Sequence, residues 1–107
     1  HHASSAASDV YKRQGIMLIN VKGEQANVPN TVGAASSFSE ARTVLLVNNG
    51  TSARLVTVAS ENINSATIGS FTMLGNTTQI IEKNNTDVVY VDAGATLKGT
   101  KVGYSIS

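Results

Sequence analysis

The chain has 107 residues, a formal net charge of +1, no cysteine, no tryptophan and one proline. That length fits a single domain. Without cysteine there are no disulfides, thiolate metal sites or thiol nucleophiles, and near-neutral charge speaks against the basic patch that nucleic acid or an anionic membrane surface requires.

Near the N-terminus, Ser8-Asp9-Val10-Tyr11-Lys12-Arg13-Gln14 resembles a translated sequencing-adapter scar, with His1 and His2 ahead of it. On that likeness residues 1–16 are expected to be a non-native or disordered leader, and residues 17–107 a single β-sandwich domain starting at Met17. Setting the leader aside removes Lys12, Arg13 and Asp9, so six basic residues stand against six acidic ones and no histidine is left. Val, Ile and Thr are frequent and Asn and Gly punctuate them, which is a strand composition. Residues 17–22 are predicted as a first strand and 26–32 as an irregular second one, which Pro29 confines to an edge or a bulge.

Residues 33–41 read as a loop, and as the one stretch where a helix could form. Next, residues 42–48 and 53–59 flank Asn49-Gly50-Thr51-Ser52. Two β-branched runs around Asn-Gly predict a tight hairpin, because both turn residues tolerate positive φ. Apolar residues on both parities of the first arm, Val44 and Leu46 against Leu45 and Val47, predict a strand at a sheet centre or covered on both faces. Residues 66–73 read as a strand interrupted at Gly69, and Gly75-Asn76 as a turn into a strand at 77–83. Asn84-Asn85-Thr86 turns again, and residues 87–91 and 100–106 supply the last strands. Seven or eight short strands between polar turns predict an all-β fold, a single small antiparallel β-sandwich or jelly-roll-like barrel.

Glu82 and Asp87, one on each side of a turn, come nearest to a paired-carboxylate acid–base site. Such a pair needs environments that drive the two pKa values apart, and no aromatic-walled pocket is encoded around it. Lys83 beside Glu82 reads as a solvated strand end. Serine and threonine abound, but without histidine in the domain no Ser-His-Asp relay forms, and no motif singles out a Ser-Lys pair. Asn84, Asn85, Asp87 and Asp92 make an oxygen-rich stretch of the kind calcium accepts. The alternating acidic loop of an EF-hand is missing there, and Asn-rich turns have an ordinary conformational cause. Phe38, Phe71, Tyr90 and Tyr104 are too scattered for a base-stacking platform. Asn49-Gly50-Thr51, Asn76-Thr77-Thr78 and Asn84-Asn85-Thr86 match the glycosylation sequon, a frequent chance match in turns. No residue is assigned a catalytic, cofactor-binding or metal-binding role, and no cofactor is expected.

Three segments in order, Val44-Leu45-Leu46-Val47-Asn48-Asn49, Leu55-Val56-Thr57-Val58-Ala59 and Thr78-Gln79-Ile80-Ile81-Glu82-Lys83 with Thr86-Asp87, resemble small virion structural proteins of marine tailed bacteriophages. The likeness covers most of residues 17–107 and rests on strand patterns plus Lys83, Thr86 and Asp87. It implies a non-enzymatic capsid decoration or accessory head protein on the capsid surface. Its implied partners are the major capsid protein or other virion proteins, a homo-oligomer is compatible, and neither nucleic acid nor membrane is expected. The alternative is an adhesion or carbohydrate-binding β-module of a tail fibre or cell surface, for which Tyr90 with Asp92 is the one local aromatic–carboxylate pair.

Overall fold

The structure, a computed structural model, describes residues 18–61, 66–93 and 96–105. The expected leader at 1–16, Met17 and Ile106 lie outside the described residues. Among the described residues eight strands follow in chain order: β1 (Leu18–Val21), β2 (Ala26–Asn27), β3 (Thr43–Asn48), β4 (Arg54–Ala59), β5 (Thr67–Met73), β6 (Thr77–Glu82), β7 (Val88–Val91) and β8 (Leu97–Ser105).

The antiparallel pairs nest. β4 pairs with β5, β3 with β6, Ser36 bridges to Val89 of β7, and β1 and β2 both pair with β8. Each pair encloses the one before, as in a long two-stranded ribbon whose tip is the β4–β5 connection. Lateral pairing of β3 with β8 and of β4 with β7 rolls that ribbon into two sheets. One sheet runs β1-β8-β3-β6 with β2 also on β8, and the other runs β5-β4-β7. This is a β-sandwich with jelly-roll order, within the predicted fold class.

The predicted hairpin is not formed. β3 lies in the five-stranded sheet and β4 in the three-stranded one, so residues 49–53 carry the chain across the sandwich. Neither Asn49 nor Gly50 takes a positive φ, so the primed turn that Asn-Gly favours is absent. Asn49 N instead donates to Thr96 O at 2.8 Å, and Asn76 N donates to Gly50 O at 2.9 Å. A Cβ on Gly50 would meet the Thr96 side chain at 2.9 Å, so this glycine serves close approach between crossings. Burial explains the choice. Val44 and Leu46 of β3 and Val56 of β4 are fully buried in one core cluster, facing each other from opposite sheets. Side by side in a hairpin they would leave that apolar surface open on one side.

β3 sits at a sheet centre, as its two apolar parities predict, between β8 and β6. Even-numbered Val44 and Leu46 join the core with Leu97, Met73, Val89, Val91, Phe38 and Val28. Odd-numbered Leu45 and Val47 face outward and are half-buried. β5 is continuous where an interruption was expected. Val58 faces Gly69 and Ala59 faces Thr67, so Ile68 is the extra residue of a bulge.

The expected strand at 26–32 shrinks to Ala26–Asn27 on the sheet edge. Val28 N still donates to Leu97 O at 3.0 Å, but Pro29 has no N–H to continue, and its carbonyl accepts from Val91 N of the other sheet. The 33–41 stretch holds a 3-10 turn at Val32–Ala34 and then a left-handed turn: Phe38, Ser39 and Glu40 have φ of 54°, 59° and 57°. Ala41 N closes it on Ser37 O at 3.1 Å. Each left-handed L-residue costs about 1–2 kcal/mol. The Phe38 ring, buried against Gly99, and hydrogen bonds from Phe38 N to Ser36 Oγ and Glu40 N to Ser37 Oγ offset that cost.

Candidate functional site

The β6–β7 turn lies beside a cleft of about 460 Å³ lined by Arg42, Ile68, Glu82, Lys83, Asn84 and Asp87. Sequence reasoning singled out four of these, and the fold brings them together because residues 84–87 fold back at the end of β6. Asp87 N donates to Asn84 O at 3.0 Å, and Asn84 N donates to Asp87 Oδ2 at 3.2 Å. Such a reciprocal pair is how an Asp side chain locks a short turn.

Lys83 corrects the sequence reading. It is not a solvated strand end but is 8% exposed. Its backbone N–H extends the β3–β6 ladder to Arg42 O at 2.8 Å. Its ammonium turns inward and donates to Ala41 O at 2.6 Å, Asn84 O at 3.2 Å and Asn85 O at 3.4 Å. The side chain therefore ties the β6–β7 turn to the end of the left-handed turn. Burial holds the Lys83 amine below its ordinary value, and the charges of Asp87 and Glu40 oppose that shift.

These contacts limit the chemistry. A lysine nucleophile needs a neutral amine with its lone pair open to substrate, whereas the Lys83 ammonium lies within hydrogen-bond distance of three carbonyl oxygens. The Asn84 and Asn85 carbonyls that a calcium ion would use face this ammonium, and Asp87 is committed to Asn84 N. Asp92 lies beyond the far end of β7 from Asp87. Among the described residues no group of three or more His, Cys, Asp or Glu gathers as a metal-ligand set. Glu82 does share the cleft with Asp87, as the pairing of carboxylates across the turn suggested, but Glu82 is exposed at the rim.

A second, apolar cleft of about 290 Å³ adjoins the first on the open side of the sandwich, where Val58, Ile68, Phe71 and Ile81 face between β5 and β6. Ile68, pushed out by the bulge, is 58% exposed. Tyr90 lies opposite Thr57 on the outer face of the three-stranded sheet, with Asp92 two residues on, away from both clefts.

Asn48 went unassigned in the sequence reading, yet it is fully buried at the other end of the sandwich. Its Nδ2 lies within hydrogen-bond distance of Ser52 O (2.9 Å), Met73 O (3.2 Å) and Leu74 O (3.2 Å), and its Oδ1 accepts from Gly50 N (3.1 Å) and Thr96 Oγ1 (3.3 Å). Parity with Val44 and Leu46 was the available signal. Among the described residues no helix is long and apolar enough to cross a membrane. No protein-family model, no curated protein and no solved structure matches this chain.

Proposed function

We propose that the chain is a non-catalytic structural protein of a tailed-phage particle, a capsid decoration or accessory head protein that binds the major capsid protein or another virion protein at the capsid surface. One observation carries this reading: an apolar strip crosses the outer face of the five-stranded sheet, between Thr43 and Glu82 on one side and Thr78 and Lys98 on the other. Leu45 aligns with Ile80 and Thr100 across three strands, Val47 sits one step along, and Val21 aligns with Val102. Val21 is 68% exposed and Tyr104 on the same face is 42% exposed, whereas Val102 and Thr100 between them are buried. Exposed apolar side chains grouped on one face, as Val21 and Tyr104 are, favour a surface that a partner covers.

Two further points support the reading. The Lys83 ammonium and Asp87 Oδ2 of the cleft are engaged in holding turns, which favours the surface over the cleft as the working part. Jelly rolls recur in viral capsid proteins, an argument from fold analogy that also admits lectins. Many copies on a repeating lattice add weak individual contacts by avidity.

Mass spectrometry of purified source particles tests the proposal. The chain is expected in many copies per particle, and Leu45→Lys is expected to leave the fold intact while stripping the protein from particles. Particles that lack the chain would overturn the assignment.

A further inference from the structure

Four strand edges flank the two sheets, and three are guarded. β7 is bridged by Ser36 and by Pro29 O, β5 carries a bulge at Ile68, and β1 and β2 are short and separated by residues 22–25. Such devices keep an edge from pairing with another chain. β6 has none of them; on its open side the Gln79 amide lies against Ile80 O at 3.4 Å, a long exposed contact that a paired strand would displace. Among the described residues it pairs with β3 alone, runs six residues without proline or bulge, and carries one charge, Glu82. Lys83, which would guard its end, is folded inward.

We infer that β6 pairs antiparallel with β6 of a second copy of this chain, across a twofold axis at Ile80. The register follows from the ladder. Lys83 N donates to Arg42 O, so by antiparallel alternation the backbone groups of Thr78, Ile80 and Glu82 face away from β3. Opposite residues across the new ladder must both come from that set. Centring it sets Ile80 against Ile80 of the second copy and Thr78 against its Glu82.

The two Glu82 carboxylates then stand four residues apart, roughly 14 Å along the strand, beyond the roughly 10 Å screening length at moderate salt. A parallel pairing in register would set them side by side. Antiparallel self-pairing also lays β5 beside β5 and covers the cleft lined by Val58, Ile68, Phe71 and Ile81. The same pairing brings the Leu45–Ile80 rows of the two outer faces together at Ile80. This association stands apart from the particle assignment: a dimer can form whether or not virions contain the chain.

The full chain is tested by light scattering over a micromolar to millimolar series, with three variants. Twice the chain mass is expected at high concentration. Ile80→Lys is expected to give single-chain mass with an unchanged circular-dichroism spectrum. Thr78→Lys, which sets a cation opposite Glu82 at both ends, is expected to tighten association roughly two- to tenfold at low salt. Ile80→Cys introduces the sole cysteine of the chain, at a position where paired Cα atoms lie about 5.5 Å apart. It is expected to cross-link on mild oxidation, while Leu74→Cys does not. Single-chain mass throughout the series overturns the inference. So does a dimer that persists in Ile80→Lys, or an Ile80→Cys protein that fails to cross-link.

Discussion

At the scale of single residues, the side chains that matter most are polar and buried. Asn48 joins three chain crossings at once, bonding to Ser52, to Met73 and Leu74, and to Gly50 and Thr96. Asn48→Ala leaves several buried groups unpaired and is expected to cost about 3 kcal/mol, measured by urea denaturation. Lys83 titrates in a readable direction. Its folded amine sits below the ordinary lysine value, so between those two values the unfolded chain holds more protons and stability rises with pH. Thermal melts across that alkaline window are expected to show a rise in the wild type that Lys83→Met lacks. Ser39 is exposed with φ of 59°. Ser39→Gly removes the left-handed penalty at the expense of some unfolded-state entropy, and is expected to raise stability by about 0.5–1 kcal/mol. Lys83 was legible in the sequence as part of the site but not as buried, because what buries it, the turn ending at Ala41, is 42 residues away.

At the scale of elements, strands were legible and their partners were not. The runs at 43–48, 54–59, 77–82 and 88–91 follow from β-branched composition between turn residues. The Asn-Gly link between the first two carries a local hairpin signal that the core overrules. Glycines separate the same way, since their burial depends on which crossings meet. A Cβ on Gly75 would strike the Thr51 carbonyl and come within 2.9 Å of Gly50 O, both backbone, whereas Gly69 has nothing within 4 Å. Gly75→Ala is expected to lower the denaturation midpoint by an amount equal to about 2–3 kcal/mol. Gly69→Ala is expected to change stability by about 0.5 kcal/mol or less, in the same assay.

At the scale of the whole molecule, protection should follow position in the nested ribbon. β3, β8 and β4 each have neighbours on both sides and hold fully or nearly fully buried residues such as Val44, Leu46, Leu97 and Val56. β5 is an edge whose residues Thr67–Ser70 are exposed. Native-state amide exchange is expected to be slowest in β3, β4 and β8 and fastest around the Ile68 bulge. Equal protection across β4 and β5 would contradict this order.

Taken by itself, the sequence determined what is local: which stretches are extended, where the chain turns, and which chemistries lack their residues. Strand propensity and turn tolerance act within a few positions, so Val44–Val47 and Asn84–Thr86 declare themselves without help. Tertiary structure decided what is shared between distant segments: that β3 and β4 part company, that Lys83 turns inward, that Asn48 is buried, and that Val21 and Tyr104 stay exposed on one sheet face. The reason is that a backbone ladder can be satisfied by any neighbouring strand. Only the simultaneous burial of Val44, Leu46, Val56 and Leu97 between two sheets selects which one.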